Sequence, residues 1–183
     1  MNFDEALNLV QKYVKNDRLI KHMLAVSAIM GALARRLGEN EELWRLVGLV
    51  HDIDYEITQS QPEKHGIVAA EEILKDKLPP EALSAIKAHN DLTGHRDESK
   101  LAIALKAADA VSGLIVATAL VMPNKKLSEV KVETLKKKFK QKDFARGVNR
   151  NNILLCEKLG LSLDEFLELS LRALQEIADK LGL

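Results

Sequence analysis

Apolar residues recur every three or four positions along nearly the whole chain, the period of amphipathic helices rather than the alternation of half-buried strands. This pattern predicts a first helix from about Phe3 to Lys15. A second, from about Arg18 to Leu37, stacks Leu19, Met23, Val26, Met30 and Leu33 on one face and stops at Gly38. A third, from about Glu41, carries Leu43, Val47 and Val50 and delivers His51 near its C-terminal end. A fourth is predicted over about Pro62 to Lys77. Pro79 and Pro80 then open a fifth that ends near His89, proline being suited to a first helical turn. After a polar loop, Asn90 to Arg96, Asp97 is placed to cap a long helix reaching about Ala119. Pro123-Asn124 ends that helix, and Ser162 with Glu165 forms a capping-box pattern for the last one. No stretch reads as a strand and no internal repeat is present. The expected fold class is all-α.

Composition agrees with this. Aromatics make up only 4% of the 183 residues, so the core must come from Leu, Ile, Val and Ala, which favours packed helices over sheets. The length suits a single domain, residues 1–183. The net charge is zero, which argues against nucleic acid or a membrane surface as a partner. Charge is nevertheless uneven, because residues 125–150 hold ten Lys and Arg against three acidic residues, a net of +7. A basic and then acidic helical extension is therefore expected over about 125–183. Cys156, the single cysteine, can form no internal disulfide and reads as a small buried residue of a helix through Ile153, Leu154 and Leu155. The start, MNFDEALNLV, has no signal-like pattern. The weakly charged run from Ala107 to Pro123 is interrupted by Asp109, too short and too polar for a membrane span. A cytoplasmic protein is expected.

Chemistry enters where polar residues break the apolar faces. His22 lies between Leu19 and Val26, His51-Asp52 follows the run Leu46-Val47-Gly48-Leu49-Val50, and Asp109 sits in the apolar stretch Leu101 to Ala110. Burying an unpaired polar group costs roughly 2–7 kcal/mol, and more when it is charged. A single histidine on an apolar face is usually a hydrogen-bonded core residue, and a single buried Asp a cap or an ion-pair partner. Here three predicted helices each aim a ligand-type residue inward. A metal ion accounts for all of them at once, because it supplies the partner charge to carboxylates and imidazoles together.

The order His22…His51-Asp52…Asp109, with Leu49-Val50-His51-Asp52-Ile53 and Leu105-Lys106-Ala107-Ala108-Asp109-Ala110 around its members, resembles the HD superfamily of metal-dependent phosphohydrolases. The similarity covers about residues 18–118. It implies a compact helical HD-domain bundle with additional C-terminal helices, and His22, His51, Asp52 and Asp109 as ligands of one divalent metal. His65 and His89 resemble the extra histidines of branches that hold two metals, in which the Asp of the His-Asp pair bridges the ions; Asp52 would be that bridge. As surface and helix-end residues, His65 and His89 also have an ordinary reading. Many relatives continue His-Asp-Ile as Gly-Lys, whereas this chain reads Asp54-Tyr55-Glu56, which departs from the cyclic-dinucleotide branch. Asp54 or Glu56 would be a proton shuttle if either faced the metal, or a solvated helix end if not.

The resemblance implies a metal-dependent hydrolase in which metal-activated water attacks a phosphate ester, with His51 and Asp52 at the catalytic centre. The substrate would be a small phosphorylated molecule, nucleotides included. Ligands without cysteine suit one or two ions of Mn, Fe, Co, Ni, Zn or Mg. His95, Lys106, Arg146 and Arg150 are candidate phosphate contacts, the guanidinium for its bidentate fit, although Lys/Arg runs usually form solvated faces. Two rival readings are an HD-fold di-iron oxygenase and a catalytically silent regulatory or nucleotide-binding module. A homo-oligomer stays open.

Overall fold

The computed structural model describes all 183 residues, as helices, turns and loops without a strand. The first helix, α1 (Phe3–Tyr13), is capped by Asn2 and ends sooner than predicted. The carboxylate of Glu56 explains the stop: it accepts from the backbone N–H groups of Lys15 and Asn16 and holds them out of the helix. Glu56 is thus a structural tie rather than a proton shuttle. Next comes α2 (Asp17–Leu37), where the Asn16 side chain satisfies the N–H groups of Arg18 and Leu19 and Gly38 closes the helix in the left-handed conformation at φ 71°. Asn40 caps α3 (Glu41–Val50), and His51 follows directly at its C-terminal end.

The two helices approach unusually closely. A Cβ built on Gly48 would lie 2.8 Å from the Cα of Ser27 and 2.9 Å from its backbone nitrogen, so only glycine fits. Ser27 Oγ adds a hydrogen bond to the carbonyl of Arg45 across the same interface, 2.8 Å. This contact sets how far His22 on α2 stands from His51 after α3.

The predicted fourth helix is replaced by two irregular pieces, a 3-10 turn at Pro62–Lys64 and a π-helical turn at Ala69–Ile73. The cause is long-range. The carboxylate of Asp54 takes the N–H groups of Gly66 and Ala69, at 2.7 and 2.8 Å, which starts a fresh helical segment after His65. Gly66 sits at φ +95°, and a Cβ there would meet the Ile86 carbonyl oxygen at 2.9 Å. The chain then forms α4 (Pro80–Ala88), ending at His89, and α5 (Lys100–Leu120). The cap of α5 is Ser99, not Asp97: Ser99 Oγ accepts from Ala102 while Asp97 accepts from the N–H of Ser99. Helix α5 is long and apolar enough to cross a membrane by length and composition, yet it is mostly buried here as the central helix. Leu105, Leu114 and Ile115 from it join Met23, Ile29, Met30 and Leu33 from α2, Leu49 from α3 and Ile86 from α4 in one continuous core.

The C-terminal extension contains α6 (Val132–Lys140), α7 (Arg150–Leu154), α8 (Leu163–Glu176) and the short α9 (Ala178–Leu181). Phe166 of α8 reaches the core, and Ser162 and Glu165 make the expected reciprocal cap. Cys156 falls in a 3-10 turn, Leu155–Leu159, rather than in a longer α-helix. Burial there, with Glu157 alongside, pushes its thiol up to about 11, which makes it unreactive.

Gly48→Ala should cost about 1–3 kcal/mol, the usual range for overpacking a tight contact. A lowered urea midpoint with an unchanged m value would show this, whereas an unchanged midpoint would mean that the α2–α3 approach is not a constraint.

Candidate metal centre

Four of the chain's five histidines converge with Asp52 and Asp109 at the junction of α2, α3, α4 and α5. Ligand-type atoms of His22, His51, Asp52 and Asp109 all lie within 4.8 Å of one another, and so do those of Asp52, His65 and His89. Asp52 belongs to both groups, one oxygen to each. Its Oδ2 lies 3.4 Å from His22 Nε2 and 3.3 Å from His51 Nε2. Its Oδ1 lies 3.0 Å from His65 Nε2 and 3.2 Å from His89 Nε2. Asp109 completes the first group, with Oδ1 2.9 Å from His22 Nε2 and 3.6 Å from His51 Nε2.

Each imidazole is held from behind. His51 Nδ1 donates to the Gly48 carbonyl at 2.7 Å, and His89 Nδ1 donates to that of Ile86. His65 Nδ1 donates to Asp54 Oδ1 at 2.7 Å. His22 Nδ1 faces Ser112 Oγ at 3.3 Å, and that hydroxyl itself donates to the Asp109 carbonyl. With the Nδ1 protons so placed, neutral rings turn four Nε2 lone pairs toward carboxylate oxygens. His51 Nε2 is buried without a hydrogen-bond partner, and His65 Nε2 stands only 3.1 Å from His89 Nε2. Acceptors facing acceptors in a buried site require a cation between them, and outer partners that orient imidazoles are the usual support of a metal site. The donor set therefore fits divalent metal.

Without metal, protons serve instead. Burial alone would push the imidazoles down, but Asp109 and Asp52 outweigh it and raise His22 to about 9. Asp52 and Asp54 outweigh burial likewise and raise His65 to about 9, and His51 is raised well above its ordinary value beside Asp52 and Asp109. For Asp52 and Asp109 burial pulls upward, yet the adjacent histidines hold both well below the usual carboxylate range.

Exposure is uneven. His51 is fully buried and His89 nearly so, while the side chains of His22 and Asp109 are 26% and 33% exposed, so the first group opens to solvent on that side. Asp54, which the sequence offers as a proton shuttle or a solvated helix end, is completely buried with both oxygens occupied. It orients His65 and is no proton shuttle. A carboxylate two residues past the His-Asp pair was a hint, but its direction depends on the turns that replace regular helix after His51.

The candidate phosphate contacts fare differently. Lys106 lies one turn before Asp109 on α5 and is paired with Asp91 at 2.6 Å. His95 Nε2 is 2.8 Å from Ser84 Oγ and belongs to neither ligand group. Arg146 is exposed on the loop before α7. Arg150 is a correction: its guanidinium donates to the carbonyls of Lys138, Phe139, Gln141, Phe144, Ala145 and Val148, leaving no donor for phosphate. It fastens the loop, which includes Ala145 in the left-handed region at φ 49°.

A helical fold that gathers histidines and aspartates from successive helices onto one shared carboxylate defines a class of helical metal-centre proteins. The family model of the HD domain matches residues 19–114, and the chain belongs to that family. Family and cluster together point to a divalent metal. Among curated proteins the chain is similar to Ribonuclease Y of Acholeplasma laidlawii, 36% identical over 94 residues, 51% of this chain and 18% of that protein. It is also similar to Ribonuclease Y of Lawsonia intracellularis, 32% identical over 107 residues, 58% of this chain and 20% of that protein. For Ribonuclease Y of Geobacter sulfurreducens the figures are 31% over 98 residues, 54% and 18%. The chain thus spans about a fifth of the length of the curated relatives it matches. No solved structure matches it.

In metal-free protein, His22 and His65 titrate above their ordinary 6.5, so their stabilisation is complete below about 6.5 and is lost as pH rises through about 9. The depressed Asp52 and Asp109 contribute above their ordinary 3.8 and lose that contribution as pH falls. Urea midpoints in chelator should therefore decline from pH 6 to pH 9, and a divalent metal, replacing the protons, should flatten the decline; a rising midpoint in chelator contradicts the assignment. Separately, Asp54→Asn should weaken metal binding by about 10- to 100-fold, the usual cost of losing an outer partner. Titration against a competing chelator measures it.

Proposed function

We propose that this protein is a phosphohydrolase that holds two divalent ions and cleaves a phosphate ester, a nucleotide or a related phosphodiester. His22, His51, Asp52 and Asp109 would hold one ion, and Asp52, His65 and His89 the other. The observation that carries this reading is Asp52, whose two oxygens serve two separate groups of imidazole nitrogens. Membership of the HD domain family supports it. The name of the similar proteins, Ribonuclease Y, brings RNA phosphodiesters into the range of candidate substrates, although net charge alone argued against nucleic acid.

Ions bound there would supply a Lewis acid for the phosphoryl oxygen and lower the pKa of water from 15.7 to about 7. The chain's own residues do the rest. The exposed edges of His22 and Asp109 form the side from which an ester can enter, while fully buried His51 closes the back. Lys106, one turn from Asp109, can exchange Asp91 for a phosphate oxygen, since a largely exposed aspartate is a weak competitor. Nitrogen and oxygen donors without thiolate suit Mn, Fe, Co, Ni, Zn or Mg.

The same six residues also suit a di-iron centre that oxidises a C–H bond with dioxygen. Oxygen dependence separates the two. Hydrolysis of phosphate esters by metal-loaded protein should proceed unchanged under strict anaerobiosis, and Asp52→Ala should abolish both metal binding and turnover while the circular dichroism stays helical. Turnover in Asp52→Ala would sink the mechanism, and turnover that requires oxygen would select the oxygenase.

A further inference from the structure

Beside the second ligand group lies a cleft of about 260 Å³ that the reading above leaves unused. Its walls include Tyr55, Gln59, Pro62, Asn90 and Leu92, and His65 links it to the metal centre. Two of the five large apolar side chains that the fold leaves exposed stand there: Tyr55 is 47% exposed and Leu92 66%. The Tyr55 ring is not free to drift. It packs perpendicular to the His65 ring, with centroids 5.4 Å apart and an interplanar angle of 86°. The stretch carrying Leu92 is also fastened, because Asn90 Nδ2 donates to the carbonyls of Pro62 and His65 at 2.8 and 3.0 Å, and Asn90 Oδ1 accepts from the N–H of Leu92. Gln59 is exposed at the rim, where its amide offers both a donor and an acceptor.

From this arrangement we infer that the cleft is a nucleobase subsite, in which Tyr55 and Leu92 flank the planar base of a phosphate ester whose phosphate lies at the metal centre. The inference rests on the phosphohydrolase reading for the position of the phosphate. The size supports one ring system rather than a whole ligand, since complete small-molecule sites run to roughly 300–1,000 Å³. An aromatic ring and an aliphatic side chain accept any base face, and stacking of a base on an aromatic side chain is worth ~1–3 kcal/mol. Hydrogen bonds of Gln59 to a base edge add orientation. Tyr55 and Leu92 are thus specificity-determining residues. The two residues come from segments 37 positions apart, which meet because Asp54 and Asn90 both fasten the stretch around His65.

Binding tests this without requiring turnover. AMP, GMP, CMP and UMP are titrated calorimetrically into metal-reconstituted protein, with ribose 5-phosphate as the base-free comparator. At least one nucleotide should bind about tenfold or more tightly than ribose 5-phosphate, the fold-change that ~1.4 kcal/mol of stacking gives. The difference should collapse in Tyr55→Ala, shrink in Leu92→Ala and return in Tyr55→Phe. Equal binding of all five compounds to the wild type overturns the inference, as does a preference that survives Tyr55→Ala. Failure to hydrolyse a nucleotide that shows the Tyr55-dependent preference counts against the phosphohydrolase reading and leaves the base subsite standing.

Discussion

The separation between α2 and α3 at Gly48 is the dimension on which the metal centre is built. A side chain at this position would collide with the backbone of Ser27, and any relief would move His51 away from His22. At helix separations of about 8–10 Å, side chains of modest length must meet in the middle, so even small displacements matter at ligand distances. The same residue also supplies the carbonyl that holds His51 Nδ1. One glycine therefore fixes both the spacing of the two helices and the direction in which the central imidazole points.

Around this frame the site balances charge in an unusual position. Two aspartates and four imidazoles share a space that is buried around His51 and His89 and open at His22 and Asp109, and no arrangement of neutral rings and ionised carboxylates satisfies every lone pair on the buried side. Protons or metal must fill the gap. Because the two occupants compete for the same nitrogens, metal loading and protonation are linked through the same atoms. The second ligand group depends on a longer chain of support, from Asp54 through His65 to Asp52.

Much of this was legible in the sequence. The boundaries of α2, α3 and the last long helix carry their own signals, in Gly38, the polar residue before Glu41 and the Ser162–Glu165 pair. His22, the His51-Asp52 pair and Asp109 stood out because each interrupts an apolar face. His65 and His89 carry no such mark and are identified only by family resemblance, since their meeting point lies across segments with no shared periodicity. The failures have one cause in common. The predicted fourth helix, the Asp97 cap and the phosphate role of Arg150 all depended on where particular hydrogen-bonding groups find partners. Asp54 reaches twelve and fifteen residues ahead to start a new helical segment, and Arg150 spends its donors on carbonyls of a folded-back loop. Gly48 is itself a readable signal, a glycine inside an otherwise apolar helix and so a mark of close backbone approach.

The outer partners of the four imidazoles have a consequence for metal uptake. Since Gly48, Ile86, Asp54 and Ser112 already hold the rings in place, little side-chain freedom is left to lose when an ion arrives. The fold, rather than the ion, then carries the cost of ordering these rings. In the folded chain protons and metal compete for the same nitrogens, so an ion enters as protons leave. The ion the chain acquires would then be decided by what the surroundings supply as much as by the protein.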